Sequence, residues 1–188
     1  WWIVDTGLSN EQTTQVWEDV FINAMDGRPV LGVICTHMHP DHIGQARMIT
    51  EQFQCPLYMT RGEYYQARTF ANGSSDSHSS WIGQQFYKRA GMPADYLEQI
   101  SKMWSQRASE GMSMPTLPGG YERLVDGQVL RIGDNDWRVV VGSGHSPEHA
   151  CLYSSALKVL ISGDQILPII TSNVSVHPSE PNANPMKD

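Results

Sequence analysis

Six consecutive residues, His37-Met38-His39-Pro40-Asp41-His42, gather three imidazoles and a carboxylate in one short window. They follow an apolar run, Val30 to Cys35, that reads as a buried strand. They precede Ile43, Ala46, Ile49 and Phe53, which are spaced like one face of a helix. The cluster therefore sits at a strand-to-helix junction, and loops held by rigid elements carry a large share of functional sites. A metal ion needs this density of nitrogen and oxygen donors, whereas a hydrophobic core does not. The plain alternative is a solvated polar turn. His37 and His39 are two residues apart and share a face in extended backbone.

The flanking sequence supplies a layered frame. Trp2 to Asp5 reads as a strand. Ser9 offers an N-cap with Gln12 as its capping-box partner, and Trp17, Val20, Phe21 and Ala24 form a helical face that stops at Gly27. The strand, cluster and helix come next, and Leu57-Tyr58-Met59 returns as a short strand. This β-α-β-α-β alternation predicts an α/β layered architecture. Residues 61–115 depart from it. Aromatic residues recur there at roughly helical intervals, predicting two or three inserted helices, with a loop at 72–77 and a Met-, Pro- and Gly-rich linker from Gly111 to Gly120. The chain then turns β-rich. Asp126-Gly127 reads as a hairpin turn between Leu124-Val125 and Gln128–Ile132. Further strands are expected at Trp137–Val141, Ala150–Tyr153 and Val159–Ser162, with an irregular tail after Pro168.

With 188 residues, 40% hydrophobic and 18% charged, the whole chain, 1–188, fits one globular domain. No apolar run approaches the ~20 residues of a membrane span. The net charge of −7 argues against a nucleic-acid partner held by general phosphate attraction without excluding one, and a small-molecule substrate is the partner expected. A homodimer is a further option. Cys35, Cys55 and Cys151 cannot all pair, and two of them lie in apolar runs. Reduced thiols and a cytoplasmic location are the expectation. The chain opens on Trp1-Trp2-Ile3 without an initiating Met, as if inside a strand of a longer protein.

His37-Met38-His39-Pro40-Asp41-His42 matches the H-x-H-x-D-H signature of the metallo-β-lactamase-fold hydrolases. Trp2-Ile3-Val4-Asp5-Thr6-Gly7 resembles that family's early strand ending in D-T-G. Gly144-His145-Ser146-Pro147-Glu148-His149 resembles its G-H-[ST]-x-x-H element, and Ser162-Gly163-Asp164 its later G-D element. The four motifs stand in the family's order across residues 2 to 164. The chain is more similar to the glyoxalase-II-like and lactamase-B2-like members than to the true β-lactamases.

The resemblance implies a four-layer αββα sandwich, here truncated at both ends, with 61–115 as a helical insertion. It implies a binuclear site. His37, His39 and His145 would hold the first metal, Asp41 and His42 the second, and Asp164 would bridge the two. Asp5 would orient a metal-binding histidine, and His149 would support the site or the fold. The family's last histidine is expected beyond residue 188, which leaves His177 as a loop residue, and His78 has no assigned role. The implied cofactor is zinc, one or two ions per chain, with iron or manganese as alternatives. The implied activity is hydrolysis of an ester or thioester by a metal-activated hydroxide, with Asp41, His42 and Asp164 as the catalytic residues. Lactones and phosphodiesters, including RNA, are alternatives within the fold. A mononuclear-iron persulfide dioxygenase and a non-catalytic binding module are alternatives of other classes. The insertion is expected to cap the site through one of Tyr64, Tyr65, Phe70, Trp81 or Tyr87, or else to form a dimer interface.

Overall fold

The computed structural model describes residues 1–72, 80–109 and 114–187. It contains two four-stranded sheets. The first is parallel and ordered sequentially: β1 (Trp2–Val4), β2 (Gly32–Ile34), β3 (Leu57–Met59) and β4 (Glu122–Arg123). Between these strands run α1 (Glu11–Asn23), the short α2 (Pro40–Ile43) with α3 (Ala46–Phe53), and the inserted helices α4 (Arg61–Ala71), α5 (Trp81–Arg89) and α6 (Ala94–Ser109). The second sheet is an antiparallel meander of β5 (Val129–Ile132), β6 (Asn135–Gly142), β7 (His149–Ser154) and β8 (Val159–Ile161). A 3₁₀ turn, Gly163–Gln165, follows β8.

Strand periodicity assigns the two faces of the first sheet. Ile3, Val33, Cys35, Leu57 and Met59 join the core shared with Trp17, Phe21, Ile43, Ile49 and Tyr64 of the helices. Trp2, Val4, Ile34 and Tyr58 point the other way, onto Leu130, Val139 and Leu152 of the second sheet. Burial on both faces is why β2 reads as an unbroken apolar run. Parallel crossovers are right-handed almost without exception, so a sequential strand order collects its helices on one face. The result is the α, β and β layers of the expected αββα sandwich. The outer face of the second sheet carries Val129, Val140 and Tyr153, which are exposed.

Three local expectations are corrected. The N-cap of α1 is Asn10, whose Oδ1 accepts the Thr13 amide at 2.8 Å, and not Ser9. The helix after the histidine cluster is broken at Gly44 into α2 and α3. Asp126-Gly127 is not a hairpin turn. The preceding strand, β4, pairs with β3 in the first sheet, so this segment crosses between sheets, and the hairpin closes one strand later between Ile132 and Asn135. Asp-Gly chemistry specifies a turn but not its partner, which the competing edge of β3 decides. Most of the loop at 72–77, part of the Gly111–Gly120 linker, and His78 lie outside the described residues.

Gly44 marks where the histidine-bearing loop presses on the D-T-G loop. Its amide donates to Gly7 O at 2.9 Å, and the Thr6 amide donates to His42 O at 2.7 Å. A Cβ on Gly44 would fall 2.3 Å from both Gly7 O and the Ser9 nitrogen, with only backbone to yield. Gly44→Ala is therefore expected to cost about 1–3 kcal/mol in urea unfolding. Gly119→Ala, at a position with nothing within 4 Å, should stay within about 0.5 kcal/mol. Equal stability of the two variants would contradict this packing.

Candidate metal centre

The motif residues lie at or near the ends of strands, except Asp41 and His42, which lie in the short helix α2. Asp5 follows β1, Thr36 and His37 follow β2, His145 follows β6, His149 opens β7, and Asp164 lies in the turn after β8. Pairing of Val4 with Ile34 sets Asp5 beside Thr36, and pairing of Gly142 with His149 closes the His145 loop back on itself. The Ala150 amide donates to Thr36 O at 2.8 Å and joins the two sheets at the site.

One ligand atom from each of His37, His39, His145 and Asp164 comes together within a 4.8 Å spread. His37 Nε2 lies 2.8 Å from His39 Nδ1 and 3.3 Å from His145 Nε2, and His39 Nδ1 lies 3.0 Å from His145 Nε2. Asp164 Oδ2 is 3.5 Å from His145 Nε2 and 4.0 Å from His37 Nε2. The other carboxylate oxygen, Oδ1, faces away from this group, 3.4 Å from His42 Nε2. His42 Nε2 is also 3.7 Å from Asp41 Oδ2. Asp41 and His42 thus adjoin the group across Asp164 rather than belonging to it.

The far nitrogens of the rings determine where the protons sit. His145 Nδ1 lies 3.0 Å from the carbonyl of Asn173, which can only accept, so this nitrogen carries the proton and Nε2 is bare. The Thr36 hydroxyl donates to Asp5 Oδ2 at 2.9 Å, so its oxygen accepts from His37 Nδ1 at 3.0 Å and leaves His37 Nε2 bare. Burial, reinforced by the surrounding imidazoles, holds His37 well below the usual histidine range. Burial and His145 bring His39 down to about 4. The bare nitrogens of His37 and His145 both aim at His39 Nδ1, and with the His39 proton on Nε2 the three lone pairs converge on one point, where a cation satisfies all of them. This donor set fits a divalent ion that takes imidazole and carboxylate ligands.

Asp5 is the shared support. Its carboxylate accepts the Thr36 amide at 2.8 Å, the Thr36 hydroxyl, and His42 Nδ1 at 2.8 Å, which turns His42 Nε2 toward Asp41 and Asp164. Burial lowers the His42 pKa, but the hydrogen bond and charge of Asp5, with Asp41 and Asp164, outweigh it, and the net shift is upward. His149 is buried, stacks on His37 with centroids 4.7 Å apart, and accepts the Asp164 amide on Nε2 at 3.1 Å. Burial, ahead of its charged neighbours, brings His149 down to about 4, consistent with a bare Nε2. A Cβ on Gly163, whose φ is +47°, would lie 2.7 Å from that ring, which is why glycine precedes Asp164. His177 is exposed and outside the converging group.

Four supporting residues are not evident from sequence: Thr36, Asn173, Glu63 and Glu148. Thr36 adjoins His37, but nothing in the pattern says that its hydroxyl links two motifs. Thr60-x-x-Glu63 has the form of a capping box, yet Thr60 makes no side-chain cap bond and Glu63 turns toward the metal loops. Tyr64, one of the five candidate cap residues, is in the core. Its ring stacks on Tyr121 at 3.9 Å and its hydroxyl donates to Pro118 O at 2.8 Å. Trp81 is 74% exposed.

A fold of this kind with this motif set defines a family, and residues 1–184 match the model of the metallo-beta-lactamase superfamily. The chain belongs to that superfamily. Among solved structures it is similar to a beta-lactamase domain protein from Burkholderia ambifaria, with 40% identity and a TM-score of 0.80, covering 100% of this chain and 52% of that one. It is 28% identical over 140 residues to the acyl-coenzyme A thioesterase MBLAC2 of Bos taurus, covering 74% of this chain and 42% of that protein. It is 23% identical over 145 residues to the probable metallo-hydrolase YflN of Bacillus subtilis strain 168, covering 77% of this chain and 47% of that protein. The chain thus spans about half the length of these relatives. No helix among the described residues is long and apolar enough to cross a membrane.

The hydrogen-bond pattern ranks the residues. His39→Ala should remove a donor outright and empty the site of metal. Asp5→Asn keeps one acceptor oxygen where two are used and should weaken metal binding about 10–100-fold. His177→Ala should leave it unchanged. Competition with a chromogenic chelator measures all three, and loss of metal in His177→Ala would contradict the assignment.

Proposed function

We propose that this chain carries the metal site of a zinc-dependent hydrolase that acts on a small ester or thioester substrate. The observation that carries the reading is the two-sided Asp164, with Oδ2 toward His37 and His145 and Oδ1 toward His42. His37, His39, His145 and Asp164 would hold one ion. His42, Asp41 and the other oxygen of Asp164 would hold a second. Bound zinc supplies a water acidified to near-neutral pKa and a Lewis acid for the substrate's carbonyl oxygen.

The chain's own residues then have distinct tasks. Thr36 and Asn173 keep protons on the far nitrogens of His37 and His145, so that the near nitrogens stay free to bind. Asp5 does the same for His42. The Asp41 side chain is largely exposed, so its carboxylate can reach an attacking water and take its proton. The two buried thiols are disfavoured as nucleophiles. Cys35 and Cys151 are buried, and burial pushes both thiols up, away from the reactive thiolate. The thioester preference within the hydrolase class is supported by the likeness to the acyl-coenzyme A thioesterase.

Elemental analysis of the purified protein should find zinc, and the zinc-loaded protein should hydrolyse an acyl thioester in a thiol-trapping assay. A chelator should abolish that activity. Asp41→Asn should lower kcat by about 10²–10⁴-fold. No transition metal after reconstitution would overturn the reading. So would failure on all of a thioester, a carboxylic ester and a lactone.

A further inference from the structure

The buried carboxylate of Glu63, in the first turn of α4, has no part in the ligand set, yet it touches both halves of it. Glu63 is 0% exposed. Its Oε2 accepts the amide of Met38, the residue between His37 and His39, at 2.9 Å. Its Oε1 accepts the amide of Glu148, three residues beyond His145, at 2.8 Å. The tie is reciprocal. Glu148 Oε2 accepts the Gly62 amide at 2.7 Å, and the Thr60 hydroxyl donates to Glu148 O at 2.7 Å. These bonds clasp the start of α4 to the His145 loop and to the His37-His39 loop, and the Ser146 hydroxyl, on the residue next to His145, also faces the Glu63 carboxylate.

Burying a carboxylate is costly unless hydrogen bonds satisfy it, and a protein removes such a group readily when it serves only packing. An apolar residue would bury Tyr64 and Ala67 of the same helix equally well. What only a two-oxygen acceptor can do here is hold two backbone amides, from loops far apart in sequence, at one fixed separation. Those loops carry His37, His39 and His145, whose ligand atoms must meet within a few ångströms. A displacement of either loop translates directly into a misplaced imidazole.

We propose that Glu63 is a positioning residue for the metal centre: through its two oxygens it sets the distance between the His37-His39 loop and the His145 loop, and so the geometry of the three-imidazole site. This rests on the reading that the converging donors hold a metal. The first turn of α4 then touches the backbone of both ligand-bearing loops.

The test uses Glu63→Gln, which keeps size and shape but offers one acceptor oxygen for two amide donors and sets an NH₂ against the second. Zinc affinity is measured by chelator competition, and site geometry by the visible d–d spectrum of the cobalt-substituted protein. Circular dichroism and the melting transition report folding. Glu63→Gln is expected to fold, to bind zinc about 10–100-fold more weakly and to shift the cobalt bands. Glu18→Gln, at an exposed position of α1 away from the site, should match the wild type in both. If Glu63→Gln does not fold, Thr60→Val carries the test, since it removes one hydroxyl donor at nearly constant volume. It should weaken zinc about tenfold and move the bands in the same sense. A folded Glu63→Gln with wild-type affinity and spectrum would overturn the proposal. A wild-type protein that binds neither zinc nor cobalt would overturn the underlying metal reading, and the proposal with it.

Discussion

The Asp5 carboxylate is the interaction on which the rest of the site depends. It sits at the end of the first strand with φ at +57°, a left-handed conformation that aspartate tolerates better than most residues. From there it accepts from the Thr36 amide, the Thr36 hydroxyl and His42 Nδ1. One side chain thereby fixes the start of the histidine loop, the tautomer of His37 through Thr36, and the direction of His42. The parallel register of β1 on β2 is what puts it there.

The two sheets contribute differently. The parallel sheet brings loops to the carboxyl ends of its strands, the usual place for a site in such sheets. That end holds Asp5 and the whole histidine cluster. The antiparallel meander delivers His145 and His149 at the two ends of the β6–β7 connection and Asp164 in the turn after β8, and bonds from Ala150 to Thr36, from Thr60 to Glu148 and between Glu148 and the first turn of α4 tie that connection to the first half of the fold. The metal centre is therefore an interface between sheets, and its geometry is only as good as those cross-connections.

How much of this is legible in the sequence follows from distance along the chain. The histidine cluster declares itself because its donors are contiguous and flanked by an apolar strand and a helical face. His145 and Asp164 are more than a hundred residues from His37, and only their likeness to family motifs points to them. The hairpin expected at Asp126-Gly127 fails because turn chemistry is local while strand pairing is not. The N-cap of α1 moves by one residue because Ser9 and Asn10 are both competent and the D-T-G loop decides between them. Glu63 is misleading in a different way. Its spacing from Thr60 fits a helix cap, and only the tertiary structure shows the carboxylate spent on two distant amides.

Three imidazoles and one carboxylate form a preformed ligand set, with Cys35 held apart although it lies two residues before His37. Zinc-edge X-ray absorption on the metal-loaded protein tests it most directly. This ligand set should give nitrogen and oxygen donors alone, at about 2.0–2.2 Å, with the multiple-scattering signature of several imidazoles. A sulfur shell at about 2.3 Å, or too few imidazoles to account for His37, His39 and His145, would contradict it.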